Sequence, residues 1–335
     1  MLDARQTRQM SAGMKTYTRE VSSRLPSLAA DLEFLIFERG ANFGFEEQVR
    51  LPLRIRAASA DLTHFMSLYA PYFAPRPYLI TIHDLIHLRF PQFFKSKVAP
   101  YYRSVVRHVA KNAARVITDD ERTLPDLQRY LDVPPQRVRV VALGVAEVYV
   151  RNQAAHRAER PYFLYAGNHR PHKDLPTLLA AWDSLSPQIG ADLYLTGNDD
   201  FGARSSLQHH GRAVSFLGDV TSRQLASLYG GAISLVHPSL CEGFGLTMLE
   251  AMAAGCCVIS SRTACPAVLR PAALNFAAGD VKGLTKLMEK VFLDQELRTE
   301  LVEKGRRLAK VLTWDRCALA TAAVYREVLE ERPSR

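Results

Sequence analysis

Two glutamates, Glu242 and Glu250, flank a glycine-broken turn in the stretch His237-Pro238-Ser239-Leu240-Cys241-Glu242-Gly243-Phe244-Gly245-Leu246-Thr247-Met248-Leu249-Glu250. Before it, Ile233–Val236 reads as a buried strand. After it, the apolar period predicts a helix opening near Leu246 and carrying Glu250 about one turn in. A helix N-terminus offers unpaired backbone N–H groups and the positive end of a dipole, which suits a phosphate. Gly243 and Gly245 lack Cβ, so the backbone there can approach a ligand closely. An anion-binding turn between two carboxylates suits a ligand with both phosphate and hydroxyls, and a nucleotide sugar has both.

Other chemistry-bearing residues fall where further strands end. Tyr162–Ala166 is followed by Gly167-Asn168-His169-Arg170-Pro171-His172-Lys173-Asp174. Arg170, a planar fork, and Lys173, a point charge, stand beside a helix start and can neutralise a departing diphosphate. An exposed basic loop explains them equally well. Tyr78–Ile82 delivers His83 to a strand end, where a histidine can donate to a sugar hydroxyl, move a proton or serve structure alone. His87 lacks both an H-E-x-x-H frame and a third ligand, so no metal site is expected. Met10–Tyr17 joins the first strand to a helix running to about Leu25. Gly13 in that stretch lets backbone amides approach a phosphate or an acceptor, or else marks a plain turn. Gly197-Asn198-Asp199-Asp200 and Leu217-Gly218-Asp219-Val220 also follow strands, and either line a base pocket or form generic turns. Neither G-x-G-x-x-G nor G-x-x-x-x-G-K-[ST] occurs, which leaves dinucleotide and P-loop readings without support.

The elements that must position these residues alternate short β-branched runs with helical patterns, the signature of parallel α/β sheets. Strands are predicted near Leu32–Phe37, Leu62–Phe65, Tyr78–Ile82, Val116–Thr118 and Val138–Val141, then near Tyr162–Ala166, Leu193–Thr196, Val214–Leu217, Ile233–Val236 and Val258–Ser260. Amphipathic helices are predicted at Leu175–Trp182 and Arg223–Tyr229, among others. The polar segment Tyr149–Arg160 reads as a linker. From Val281 to Glu331 the pattern is helical throughout, with Thr313 as the expected N-cap before Trp314. The expected domains are 1–150, 151–312 and a helix at 313–335. Ligands of open α/β sheets bind at the carboxyl ends of strands, where the loops above lie.

At 335 residues the chain exceeds what one core usually serves. Lys and Arg number 43 against 34 Asp and Glu, a surplus that points to an anionic partner without naming it. The five cysteines show neither C-x-x-C spacing nor a secreted disulfide pattern, so free thiols in a reducing cytoplasm are expected. No signal peptide is visible, and no apolar run approaches the roughly 20 residues that span a bilayer. The span Arg89–Arg115 holds Lys95, Lys97, Arg103, Arg107 and Lys111 and no acid. Arg103, Arg107, Lys111 and Arg115 recur at helical spacing, predicting one positive stripe beside an aromatic and apolar face. Such a helix suits an anionic membrane surface, or packs on a core with its charges solvated. No nucleic-acid module is recognisable, and no nucleic-acid partner is expected.

Taken together, these residues resemble the retaining glycosyltransferases of family 4, which have the GT-B architecture of two facing Rossmann-like domains. The stretch from Pro238 to Gly255 is similar to that family's E-x7-E signature. Gly167 with Arg170 and Lys173, Thr81-Ile82-His83-Asp84-Leu85, Gly13 with Tyr17, Phe216–Val220, and Thr313-Trp314 before a last helix carry the resemblance over nearly the whole chain. It implies that this last helix returns to the first domain and that donor binds in a cleft between the domains. It also implies that Glu250 holds the donor ribose and Glu242 the transferring sugar. Amides at Phe244, Gly245 and Leu246 would hold phosphate or sugar oxygens, with Thr247 beside them. Arg170 and Lys173 would stabilise the leaving nucleoside diphosphate without a divalent metal or other cofactor. His83 would sit near the anomeric centre or the sugar hydroxyls.

Several positions depart from the family pattern. Thr247 stands where proline is frequent, Lys15 where a second glycine is usual, and Pro266-Ala267-Val268 lacks a carboxylate. Asp119-Asp120-Glu121 follows Thr118, where a serine is common, and this acidic run is expected to line the acceptor side. The first strand begins abruptly at Met1, so a start some residues upstream is expected. The expected reaction moves a sugar, GDP-mannose first and UDP-sugars next, to a hydroxyl of a glycan or lipid-linked acceptor. With Glu250 committed to ribose, no carboxylate pair remains for double displacement, so front-face departure is expected. An epimerase, a phosphorylase, a non-catalytic nucleotide-sugar binder and a non-catalytic membrane-binding protein are the rival readings. The expected location is the cytoplasm, with peripheral association at the inner membrane face.

Overall fold

The computed structural model describes residues 1–151, 154–197 and 214–331. They divide into two compact units, Met1–Gly144 with Trp314–Arg335, and Val145–Thr313. The polar segment Tyr149–Arg160 begins inside the short helix Glu147–Val150, where Tyr149 is buried in the second unit.

In the first unit six parallel strands run in the order β2-β1-β3-β4-β5-β6. They are β1 (Leu2–Asp3), β2 (Ile36–Phe37), β3 (Thr63–Phe65), β4 (Tyr78–Thr81), β5 (Arg115–Thr118) and β6 (Val138–Val140). Every residue of β3 and β4 is buried, the continuous burial expected of a parallel sheet covered on both faces. Phe65, Ile80, Ile82, Val106, Val116 and Leu127 lie in its core. Thr81 pairs with Ile117, so the residues two positions beyond each, His83 and Asp119, leave the sheet side by side.

The helix Trp314–Glu330 belongs to this unit and packs on the helix Ala12–Leu28. Ala318 and Ala322 are fully buried, and such small side chains permit close packing. Arg24 Nε donates to Asp315 at 2.9 Å, Arg326 to Asp31 at 2.6 Å and Arg139 Nε to Glu327 at 2.8 Å. Arg115 also pairs with Glu327, at 2.7 Å.

The second unit repeats the arrangement in the order β12-β11-β10-β7-β8-β9, again all parallel. Its strands are β7 (Tyr162–Tyr165), β8 (Asp192–Thr196), β9 (Val214–Gly218), β10 (Ser234–His237), β11 (Cys257–Ser261) and β12 (Leu274–Phe276). The chain winds outward from β7 in one direction and from β10 in the other, so the loops after these neighbouring strands flank the switch point where α/β sheets bind ligands. Thr221 and Gln224 form a capping box on the helix Ser222–Gly231. Asp280 and Asp294 cap the helices Val281–Leu293 and Gln295–Val311. Thr313 makes a parallel bridge with Val145.

Three sequence expectations change. The edge strand β12, Leu-Asn-Phe, is too short and too polar at its centre to show as a strand pattern. The strand expected over Leu32–Phe37 shrinks to Ile36–Phe37. The basic stripe is not a regular helix: residues 98–112 are helical but carry a wide turn at Tyr102–Val106, and Arg115 lies in β5. Arg107 and Lys111 converge on Asp132, an acid 25 and 21 positions away, whereas Lys95, Lys97 and Arg103 are exposed.

Candidate active site

At the switch point of the second unit, β10 ends in His237 and the chain turns through Pro238–Gly245 into the helix Leu246–Ala253. Leu240 N–H donates to the His172 carbonyl at 2.8 Å, which fastens this loop to the one after β7. Next to His172, Lys173 ends a single helical turn at Pro171–Lys173. Its Nζ meets Glu242 Oε1 at 2.5 Å, and His237 Nε2 lies 2.9 Å from the same oxygen. Ser239 Oγ is 3.2 Å from His237 Nε2. Burial works to raise the Glu242 carboxyl, but Lys173 and His237 outweigh it and hold Glu242 well below the usual carboxylate range. Glu242 is therefore ionised at neutral pH in a largely dry site. Arg170 is exposed at the start of the same turn.

The helix Leu246–Ala253 starts without a side-chain cap, because Gly245 occupies the N-cap position at φ +77°. Any other residue would be strained in this left-handed conformation, and its Cβ would push aside the Met248 Cε 2.1 Å away. The turn keeps its glycine, and the first amides, those of Leu246 and Thr247, have no side-chain acceptor. Gly243 and Phe244 are buried beneath it. Thr247 Oγ1 lies 3.5 Å from His237 Nδ1.

One turn into the helix, the half-buried Glu250 has the Tyr149 and Tyr229 side chains as neighbours. Burial raises its carboxyl to about 7, against the pull of the two tyrosines. The two glutamates of the motif are thus tuned apart: Glu242 is ionised by its cations, and Glu250 is poised near neutrality.

The three strand-end glycines also converge. A Cβ on Gly197, at φ +94°, would sit 2.0 Å from the Gly167 carbonyl oxygen, so only glycine fits between the ends of β7 and β8. Gly197 N–H donates to the Gly218 carbonyl at 2.8 Å, which brings in the end of β9 beside the exposed Leu217. Asn198, Asp199 and Asp200 lie outside the described residues.

In the first unit His83 Nδ1 is 2.7 Å from Asp119 Oδ2. The Tyr17 ring meets the imidazole edge-on at 4.7 Å between centroids. Tyr17 is fixed in turn by a buried chain: its hydroxyl to Thr81 Oγ1 at 3.0 Å, Thr81 to His64 Nε2 at 2.8 Å, and His64 Nδ1 to the Tyr325 hydroxyl at 2.7 Å. Burial pushes His64 down to about 3, so it serves this chain as a neutral ring. Gly13 lies in the first turn of its helix, which Ser11 caps by accepting from Met14 N–H. His87 is held by the Tyr102 hydroxyl at 3.0 Å and by the Phe94 ring.

The acidic run after β5 is largely buried at its start, with Glu121 exposed. Asp119 and Asp120 are buried at 3% and 5% exposure, the first on His83 and the second accepting from Arg122 N–H to start a helical turn. Pattern reading also missed His237 as a partner of Glu242, and Tyr149 and Tyr229 beside Glu250. The signal for His237 was its place at the end of the buried strand leading into the motif.

Comparison with known proteins fits this geometry. The profile described as Glycosyl transferases group 1 matches residues 150–308, and that of Glycosyltransferase Family 4 matches residues 13–148. O-antigen chain mannosyltransferase B of Escherichia coli is 26% identical over 282 residues, covering 78% of this chain and 73% of its own. A glycosyltransferase from Rickettsia africae shares the fold at a TM-score of 0.74 with 16% identity, over 99% of this chain and 98% of that one. HepE of Anabaena, solved in complex with UDP-glucose, does so at 0.73 with 15% identity, over 97% and 98%. Matched along both units, and with two Rossmann-like sheets of the GT-B type, the chain belongs to glycosyltransferase family 4.

Proposed function

We propose that this glycosyltransferase moves a sugar from GDP-mannose to a hydroxyl of a glycan or lipid-linked saccharide, with retained anomeric configuration. The observation that carries the reading is the Lys173–Glu242–His237 cluster beside an uncapped helix N-terminus. Lys173, Arg170 and the first helix amides receive the diphosphate and stabilise its charge as the glycosidic bond breaks. Glu242, kept ionised by Lys173 and His237, accepts hydrogen bonds from hydroxyls of the transferring sugar. Glu250 accepts from the ribose. The leaving phosphate oxygen takes the acceptor proton on the same face, so no enzyme carboxylate forms a covalent bond. These cations and amides neutralise the diphosphate without a divalent metal. Mannose as the sugar draws support from the Escherichia coli relative, and UDP-glucose, found with HepE, is the second reading.

Incubation with GDP-mannose, EDTA and a mannose-terminated glycan is expected to release GDP and give an α-linked product by NMR. A β-linked product, or a covalent adduct on Glu242 seen by mass spectrometry, would overturn the mechanism. Transfer from UDP-glucose alone would establish the second reading.

We further propose that the first unit docks on an anionic lipid surface. Phe45 and Phe73 are 64% and 76% exposed, aromatic surface left open to solvent. Phe43, also exposed, lies 5.3 Å from the ring of Tyr101, which belongs to the same segment as the exposed Lys95, Lys97 and Arg103. The protein is expected to sediment with phosphatidylglycerol vesicles and not with phosphatidylcholine vesicles. The triple variant Lys95→Glu, Lys97→Glu, Arg103→Glu should abolish this. Equal binding to both vesicles contradicts the reading.

A further inference from the structure

The His83–Asp119 pair has a feature that packing does not explain. Both side chains are nearly dry, at 11% and 3% exposure, and the ring is gripped on Nδ1 only. His83 Nε2 and Asp119 Oδ1 are both buried with no hydrogen-bond partner among the described residues. A buried polar atom without a partner loses its hydration and gains nothing for it, so native structures keep few of them. Two such atoms on one paired couple, at the carboxyl ends of adjacent strands, mark a place that an external polar group completes. Tyr17 packs at right angles to the ring and is itself held through Thr81, His64 and Tyr325.

We propose that Asp119 is a positioning residue for sugar transfer: by accepting the Nδ1–H of His83 it holds the imidazole in the tautomer whose Nε2 lone pair accepts from a sugar hydroxyl. This rests on the transfer reaction proposed above and goes beyond it by assigning the tautomer, the working nitrogen and the residue that sets both. A neutral histidine has one N–H, and the hydrogen bond made by one nitrogen decides what the other offers. Without Asp119 the proton is free to move to Nε2, which would then meet a hydroxyl as a donor. Asp119 carries out no chemistry on the sugar itself.

The pair has a pH signature. Burial disfavours the His83 imidazolium, but Asp119 and the adjacent Asp84 more than offset it, so His83 lies above its ordinary value. The other titratable groups near the pair are Asp120, neutral His64, Tyr17 and Cys317. As pH falls through the His83 value, Nε2 gains a proton and its lone pair is lost.

The test uses full-length enzyme with 15N-labelled histidine and no ligand, His83 signals being assigned by their absence in His83→Asn. At a pH above the His83 titration, the expected wild-type result is a neutral ring protonated on Nδ1. In Asp119→Asn, whose amide oxygen still accepts, the tautomer should persist while the His83 titration moves down by about one pH unit or more. In Asp119→Ala the single tautomer should be lost and kcat should fall by 10- to 100-fold, with donor KM changed less than threefold. Asp119→Asn should recover much of that kcat at pH 8. A purely structural role predicts lower melting temperatures with unchanged tautomer and kcat, and that result overturns the proposal. So does a wild-type ring protonated on Nε2. A wild-type enzyme with the Nδ1–H tautomer that transfers no sugar from any donor instead overturns the transfer reading, and the catalytic meaning of the pair with it.

Discussion

Replacing Lys173 with methionine is expected to lower kcat by about two to three orders of magnitude, the usual cost of removing one group that stabilises a developing oxyanion. Lys173 would carry the largest share because its ammonium, unlike the exposed Arg170, is desolvated and fixed at 2.5 Å from Glu242. Donor binding should suffer less than turnover, since charge on the leaving diphosphate grows as the bond breaks. The same substitution leaves Glu242 with His237 alone, and its carboxyl should rise. Stability should drop by about 1–3 kcal/mol, short of the figure for a fully buried pair because the partners keep 15% and 12% exposure. The double variant Lys173→Met, Glu242→Gln should regain most of that stability and none of the activity. Steady-state kinetics and urea melts on the three proteins decide the matter. A Lys173→Met enzyme with kcat within threefold of wild type would remove Lys173 from the mechanism.

Glu250→Gln should separate binding from stability. The carboxyl has an ordinary value of 4.5 and lies at about 7 in the fold. A raised carboxyl means the folded state holds the proton more tightly than the unfolded chain does. The folded protein is therefore unpenalised below pH 4.5, loses stability as pH rises from 4.5 to 7, and carries a constant penalty above that. The gap corresponds to a penalty on the order of 3 kcal/mol at pH 8. Glutamine carries no charge to bury, so the variant should be more stable than wild type by that order at pH 8 and equal to it near pH 4.5. Donor affinity should move the other way. An ionised carboxylate accepts from both ribose hydroxyls and an amide oxygen does so less strongly, which predicts a loss of roughly 10- to 100-fold. Thermal melts from pH 4.5 to pH 8 read the first effect. A variant less stable than wild type at pH 8 would contradict the assigned burial of Glu250.

How much of this was legible in the chain differs between the units. The second unit declares its chemistry locally: Glu242, the two glycines and Glu250 sit within nine consecutive residues, and Arg170 and Lys173 follow another strand. The glycine pattern has physical causes: a Cβ at Gly197 would strike the Gly167 carbonyl, and the left-handed backbone at Gly245 strains any other residue. Partnerships across strands were not legible. His83 and Asp119 are 36 positions apart and meet only because β4 and β5 pair in one register. Asp119 therefore read as part of an acidic run on the acceptor side, with no sign in the sequence of its pairing with His83. In the basic span, helical spacing said nothing of the wide turn at Tyr102–Val106, of the strand position of Arg115 or of Asp132. The strand β12 escaped because a short edge strand with asparagine at its centre has too few alternating residues to show a period.

The most direct measurement of the central claim is calorimetric titration of the wild-type enzyme and Glu250→Gln with GDP and UDP, in EDTA at pH 8. The account predicts tight binding of GDP to the wild type without metal, and weaker binding to a variant that is folded and more stable. Equal affinity of both proteins for the nucleotide, or none for either nucleotide by a folded wild type, would contradict it.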